Sequence, residues 1–231
     1  MTCRLVSYCL FQEKRRGKPL NQQELGQKIR TEVLEAVKEK TGKRYVPAAA
    51  SNRHVHLCQK DIDTLFGEGY KLTPVKPLSQ PNQFAGKETL TLVGPKGKIE
   101  KIRVLGPARK ETQVEISITD SFKLGIKPVI RMSGDTAGTP GGTLVSERAS
   151  VELAQGVMVS ARHLHLSGQQ AAAFGLRDGQ TVSLRSQGQR AVVFENVLVR
   201  SGDAHEMEVH LDVDEANAAG LKNGDILEII E

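Results

Sequence analysis

Tryptophan is absent from this 231-residue chain, and six Phe and three Tyr are its only aromatic residues. So few rings leave core building to Leu, Ile and Val, and they offer little platform for stacking single-stranded bases. No run approaches the roughly 18 to 20 apolar residues that a bilayer-spanning helix needs. The uncharged stretch Leu5–Gln12 is too short for a secretory signal and lacks a small-residue cleavage site, so a cytosolic chain is the expectation. Cys3, Cys9 and Cys58 are an odd number with two crowded at the N-terminus, which argues against a disulfide framework. There is no Walker A loop, nucleophile elbow or dinucleotide fingerprint, so phosphate or acyl chemistry would have to run on metals.

A charge imbalance is also missing from most of the chain. The formal net charge is +5, but residues 1–44 hold 11 Lys/Arg against 5 Asp/Glu, a balance of +6, while residues 45–231 hold 21 against 22, a balance of −1. The basicity belongs to the N-terminal extension, and neither a nucleic acid nor a membrane is an expected partner.

What is present falls into three parts. Residues 1–20 carry a basic cluster, Lys14, Arg15, Arg16 and Lys18, then Pro19, without sustained periodicity, as in a flexible segment. From Asn21, Glu24 completes a capping-box pattern, and Leu25, Ile29, Val33 and Val37 recur every fourth residue. Lys38 and Lys40 sit in the last turn and Gly42 ends it, predicting a short amphipathic helix that packs on its own domain or docks a partner. After Lys43 the pattern turns to short strands over Thr89–Val93, Lys101–Leu105, Val114–Ile118, Thr181–Leu184, Ala191–Val199 and Glu208–Val213. These suggest small β-barrels or sandwiches. Ser133–Thr143, with four glycines and one proline, reads as a long ligand-contacting or interdomain loop.

An internal duplication is the most informative feature. Arg53-His54-Val55-His56-Leu57 is echoed by Arg162-His163-Leu164-His165-Leu166, and each copy has a Phe-Gly pair further on, Phe66-Gly67 and Phe174-Gly175. Each copy then has a strand that ends in a Gly: Glu115 to Ile118 before Gly125, and His210 to Val213 before Gly220. A repeat this long implies two related domains about a pseudo-twofold axis rather than a solenoid.

Strand side chains alternate, so His54 and His56 share one face while Val55 and Leu57 face a core, and His163 and His165 do the same. Neutral imidazoles are the commonest protein ligands of transition metals. Four of the six histidines fall in matched pairs, and His210 aligns with Glu115. Two three-ligand sites follow, His54, His56 and Glu115 in one half and His163, His165 and His210 in the other. Three ligands with an open fourth position is the catalytic arrangement of zinc, although Co, Ni or Fe would also accept this donor set. His205 lies outside the pattern and reads as a surface loop residue. Arg109 reaches the same region from a turn, as an anion clamp or a surface ion pair. Ser133 opens the Gly-rich loop with an anion-binding hydroxyl, a weak signal. Asp212, Asp214 and Glu215 are either acceptors that orient imidazoles or helix-capping acids.

With Arg-His-x-His-Leu twice, Gln80-Pro81-Asn82-Gln83-Phe84-Ala85, Leu105 to Arg109, Gln113 to Ser117, Ser133-Gly134-Asp135 and His210 to Asn217, the sequence resembles the PduL-type phosphotransacylases. These are phosphate propanoyltransferases of bacterial microcompartments, and the resemblance runs from about Tyr45 to Ile230. It implies a mainly β fold with short helices, built from two tandem β-barrel domains. Residues 1–42 would form an extension with an amphipathic targeting helix, 43–52 with 161–231 one barrel, and 53–160 the other, the strand before the first His pair belonging to the barrel of the second half. It also implies two zinc ions held by the two trios above, and reversible acyl transfer between coenzyme A and phosphate. Arg109 would bind phosphate, Ser133 would line its pocket, and Gln80 and Gln83 would lie near the coenzyme A channel. The implied location is the bacterial cytoplasm inside a microcompartment. There the helix would engage the shell or other lumen enzymes, although twenty further residues precede it here. A homo-oligomer is left open. The residues by themselves also admit a two-metal thioesterase or phosphatase, and a non-catalytic shell-associated protein with structural histidines.

Overall fold

A computed structural model describes residues 22–230, which fall into two units divided after Lys43. The first contains helix α1 (Gln22–Thr41), closed by the Gly42 N–H donating to the Lys38 carbonyl at 2.8 Å. Gly42 takes a φ of 73°, which a Cβ would oppose. Leu25, Ile29 and Val33 of the expected stripe are exposed, whereas Leu34 is buried. Asn21, the expected cap, and the basic cluster at Lys14 to Lys18 lie outside the described residues. Among the described residues no helix is long and apolar enough to cross a membrane.

The second unit is mainly β. Its first strands are β1 (Arg44–Ser51) and β2 (His54–Cys58), followed by helix α2 (Gln59–Phe66). Strands β3 (Pro74–Pro77), β4 (Phe84–Val93), β5 (Lys98–Arg109) and β6 (Gln113–Ile116) lead to helix α3 (Ile118–Leu124). Next come β7 (Ile130–Arg131), β8 (Gly142–Val145), β9 (Ser150–Leu153), β10 (Val157–Ser160) and β11 (His163–Leu166), then helix α4 (Gly168–Phe174). The chain ends with β12 (Thr181–Arg185), β13 (Val193–Ser201), β14 (Glu208–Asp212), helix α5 (Val213–Ala219) and β15 (Ile226–Ile229).

Six strands close a barrel in the order β1-β14-β11-β13-β12-β15. The others form a nine-stranded half-barrel, β7-β10-β6-β2-β5-β4-β8-β9 with β3 on β4. Both are filled by aliphatic side chains, as the scarcity of rings requires. Val46, Leu164, Val199, Val209 and Leu227 lie inside the closed barrel, and Val55, Leu90, Ile102, Val104 and Val114 inside the other. Burying each such side chain is worth about 1.5–3 kcal/mol, so two small cores without tryptophan still accumulate substantial stabilisation.

The halves exchange strands. β1, which precedes the first His pair, lies parallel to β14 in the closed barrel, with Ala49 beside His210. β10, which precedes the second pair, lies parallel to β6 in the half-barrel, with Met158 beside Glu115. Each strand bearing the third candidate ligand is therefore clamped between a His-x-His strand of its own half and a strand from the other.

Gly125 and Gly220, expected to end strands, instead end short helices, as does Gly175 of the second Phe-Gly pair. Gly125, Gly175 and Gly220 are left-handed C-caps with φ of 73°, 67° and 67°, and each of these helices opens on a capping box: Ser117 with Asp120, Ser167 with Gln170, Asp212 with Glu215. Helices α3 and α5 follow directly where the sequence pattern extended a strand, to Ile118 and to Val213. Seven residues are under two turns, too few for a 3.6-residue period to show. The capping acids also restrain the His strands. Arg53 Nε donates to Asp120 Oδ2 at 2.9 Å, and Arg162 makes the equivalent bond to Glu215. The arginine of each repeated motif is thus a strut between the start of one ligand strand and the end of the other.

Candidate two-metal site

In the half-barrel, His54 lies opposite Glu115 and His56 opposite Gln113; in the closed barrel, His163 lies opposite His210 and His165 opposite Glu208. The intervening rows, Val55 with Val114 and Leu164 with Val209, point into the cores and are 0% exposed. Period-2 alternation therefore turns all six candidate ligands to the opposite faces. One ligand atom from each of His54, His56 and Glu115 lies within 4.8 Å of the others, and the same holds for His163, His165 and His210. The trios are close enough for the Glu115 charge to act on His163.

Hydrogen bonding prepares the rings. His54 Nδ1 lies 2.8 Å from the Asn52 carbonyl and His163 Nδ1 2.8 Å from the Ala161 carbonyl, so each Nδ1–H donates backward and the ring turns Nε2 away from the backbone, toward its trio. His56 and His165 show the complementary feature: their Nδ1 atoms are buried without any hydrogen-bond partner. Two matched orphan nitrogens, each beside two further donor side chains, fit a divalent ion at each trio, because leaving such atoms unsatisfied is otherwise costly.

The electrostatics differ between the trios. Burial works to raise the Glu115 carboxyl, but the charge and hydrogen bond of His54, with His56 and Ser133, hold it well below the usual range. Burial likewise opposes protonation of His54, yet Glu115 outweighs it and the ring is raised; His56 is pushed well down by burial and by His54. With no carboxylate ligand, the second trio is proton-poor. Burial, then His210, lowers His163 to about 4, and burial with its neighbouring imidazoles takes His165 lower still.

An unfolded histidine titrates near 6.5, so below that pH the unfolded chain takes up protons that the folded second trio refuses. For the metal-free protein, unfolding free energy is expected to fall as pH drops from 6.5 to 4, by on the order of 3 kcal/mol from His163 alone. Above 6.5 this contribution is flat. Urea unfolding in a chelator across that range checks the sign, and stability rising on acidification would refute it.

Arg109 and Ser133 lie together against the first trio. Arg109 Nη1 donates to Ser133 Oγ at 2.9 Å, and Gln113 Nε2 donates to Ser133 Oγ at 2.8 Å and to Glu115 Oε1 at 2.7 Å. The Gly134 N–H donates to Gln113 Oε1 at 2.8 Å, which fixes the amide. Among the described residues no carboxylate forms an ion pair with Arg109. Gln80 is buried, its amide bonded at 3.1 Å to the Glu206 carbonyl and at 3.2 Å to the Glu206 N–H, tying its turn to the loop that leads into the His210 strand. Gln83 is half-buried in that turn, its carbonyl accepting from Leu78 N–H.

Sequence reasoning missed two outer residues. Gln113 and Glu208 each sit two positions before a ligand on the same strand face, and their chemistries are inverted. Where the ligand is the Glu115 carboxylate, its neighbour is an amide donor; where it is the His210 imidazole, its neighbour is a carboxylate acceptor, with His210 Nε2 donating to Glu208 Oε2 at 2.9 Å. The signal was the i−2 spacing. It was invisible as a repeat because complementarity changes residue type. Glu208 also accepts from the Ser79 hydroxyl.

His205 lies in a loop, as expected, but it is half-buried rather than fully exposed. Its ring centroid lies 4.4 Å from that of His165, a contact the sequence did not show. The turn in which the His205 N–H bonds the Gly202 carbonyl brings it there, a loop geometry without a periodic signal. Asp212 and Glu215 serve as capping acids, and Asp214 accepts from the Thr119 N–H at 2.8 Å.

A profile of the phosphate propanoyltransferase family matches residues 47–222. Among curated relatives named phosphate propanoyltransferase, that of Thermotoga maritima is 48% identical over 201 residues, 87% of this chain and 94% of the relative. The Rhodopseudomonas palustris protein is 49% identical over 184 residues, 80% and 81% of the two chains. That of Clostridioides difficile is 45% identical over 200 residues, 87% and 94%.

Proposed function

This chain belongs to the phosphate propanoyltransferase family and is a phosphotransacylase, an enzyme of acyl transfer between coenzyme A and phosphate; from that premise we propose how its site works. The reading is that propanoyl, or a similar short acyl group, moves reversibly between the coenzyme A thiol and inorganic phosphate at a centre of two zinc ions. His54, His56 and Glu115 would hold one ion, and His163, His165 and His210 the other. The observation that carries this is the pair of matched trios with their unpartnered His56 and His165 Nδ1 atoms.

When bound, the ions supply Lewis-acid stabilisation of negative charge on phosphate and on the thioester oxygen. The chain's own groups do the rest. Arg109 offers a guanidinium with no carboxylate partner, suited to binding phosphate oxygens bidentately. Ser133, held by Arg109 and Gln113, lines the same place. Gln113 and Glu208 keep Glu115 and His210 in one orientation, so that phosphate meets the thioester carbonyl at a fixed angle. A phosphate oxygen forms the new bond to carbon, the carbon–sulfur bond breaks, and the sulfur leaves as thiolate. A thiol titrating near 8.5 makes that a good leaving group, and no strong acid is required.

Residues 43–52 with 161–231 and residues 53–160 are read as the two catalytic domains, with Gln80 and Gln83 at the side where coenzyme A enters. The exposed Leu25, Ile29 and Val33 of α1 support its reading as the element that engages a microcompartment shell or its lumen enzymes.

Thiol release from propanoyl-CoA by the full chain tests the function. Release should depend on phosphate, produce one acyl phosphate per thiol, cease on chelation and return with zinc. Release that proceeds without phosphate would assign a hydrolase instead, and full activity after complete chelation would end the two-ion reading.

A further inference from the structure

Each of the other half-buried arginines of the second unit has a visible structural task, and some exposed ones do too. Arg53 and Arg162 hold Asp120 and Glu215; Arg44, Arg103 and Arg190 donate to backbone carbonyls of Phe174, Gly86 and Ala218. Arg200 has none. It is half-buried on β13, yet its guanidinium makes no hydrogen bond and no ion pair with any described residue. Its strand position is the register partner of His165, so it stands on the face that carries the second trio, with Glu208 on the far side of His165. Its positive charge falls on His163 and His165, and also on Arg109 in the other half.

Arg109 and Arg200 are both half-buried and act on one another; the Glu115 charge offsets Arg109 in part, but neither guanidinium forms an ion pair with a described carboxylate, so the pair is suited to an anion between them. The duplication shows that this is no requirement of the fold. The position matching Arg200 in the half-barrel, the parallel partner of His56, is Leu105. One repeat manages with an aliphatic residue where the other spends an unpaired cation.

We infer that Arg200 is a second binding residue for the reacting phosphate, closing on it from the closed-barrel side while Arg109 holds it from the half-barrel side. The inference rests on the reading of phosphate as acyl acceptor. A dianionic phosphate fits two opposed guanidiniums better than a monoanion does, because each positive fork then meets its own negative oxygen. In the reverse direction the same pair would hold the phosphoryl end of the acyl phosphate, whose oxygens carry equivalent charge.

The competing source of the same chemistry is coenzyme A itself, through its phosphates. Steady-state kinetics of the zinc-loaded full chain separate the two, using wild type, Arg200→Gln and Arg200→Lys with propanoyl-CoA and with propanoyl-pantetheine, a thioester without phosphate groups. For Arg200→Gln the phosphate KM should rise roughly ten- to hundredfold, as expected for one lost charge-assisted contact. That rise should persist with propanoyl-pantetheine, with two zinc ions retained and the KM for propanoyl-CoA within about twofold of wild type. Arg200→Lys keeps the charge and should recover part of the loss; added guanidinium ion should rescue Arg200→Gln in part. An unchanged phosphate KM in a variant with full metal content would overturn the assignment. So would a defect confined to the KM for propanoyl-CoA that vanishes with the pantetheine thioester. Thiol release by wild type without phosphate would instead remove the underlying function, a failure visible before any variant is made.

Discussion

Replacing His165 by alanine is expected to remove one of two bound zinc ions and to lower acyl-phosphate formation about a thousandfold or more. Lewis-acid stabilisation worth several kcal/mol disappears with the ion, and each 1.4 kcal/mol is a factor of ten. His56→Ala should do the same to the first trio, because both rings present a buried Nδ1 with nothing else to bind. Elemental analysis of the purified variants reads the loss directly. His205→Gln is the internal control: its ring touches His165 but offers no atom to either trio, so both ions should remain. Two equivalents of zinc in His165→Ala would show that the trio does not hold the ion.

Arg109→Ala should cost about a hundredfold in kcat/KM for phosphate with both ions retained. Removing one guanidinium takes away a charge-assisted contact of about 1.5–3 kcal/mol and frees Ser133 from one of its two donors. Lysine should restore only part of it, since an ammonium cannot reproduce a planar fork. The loss should concentrate in the phosphate term rather than the thioester term. An Arg109→Ala enzyme with normal phosphate dependence would exclude the role. The two experiments separate cleanly, since one variant changes metal content and the other does not.

The candidate ligands were legible because β-structure makes alternation visible. His54 and His56 are two apart, the apolar residues between them mark the core side, and the second copy at His163 and His165 repeats both signals. Glu115 and His210 emerged only from aligning the copies, since a single carboxylate on a strand is commonplace. Gln113 and Glu208 escaped because a residue that supports a ligand must complement it, and the two ligands differ. The short helices escaped for a geometric reason: seven residues do not complete two turns, so the sequence showed only their caps, with Gly125 and Gly220 read as strand ends, Gly175 as half of a Phe-Gly pair, and capping as one of two readings for Asp212 to Glu215.

Sequence alone determined that this protein has an aliphatic, ring-poor, mainly β body built from a duplicated unit, with two sets of metal-competent side chains each on one strand face. Those are local properties, set by composition and by a two-residue period. Tertiary structure decided which sheet closes and which stays open, that β10 joins the half-barrel as β1 joins the closed barrel, and that the Arg200 charge acts on Arg109. Such pairings join residues distant along the chain. They are fixed by which buried faces fit together, a global balance of packing and hydrogen bonding that leaves no mark on neighbouring residues.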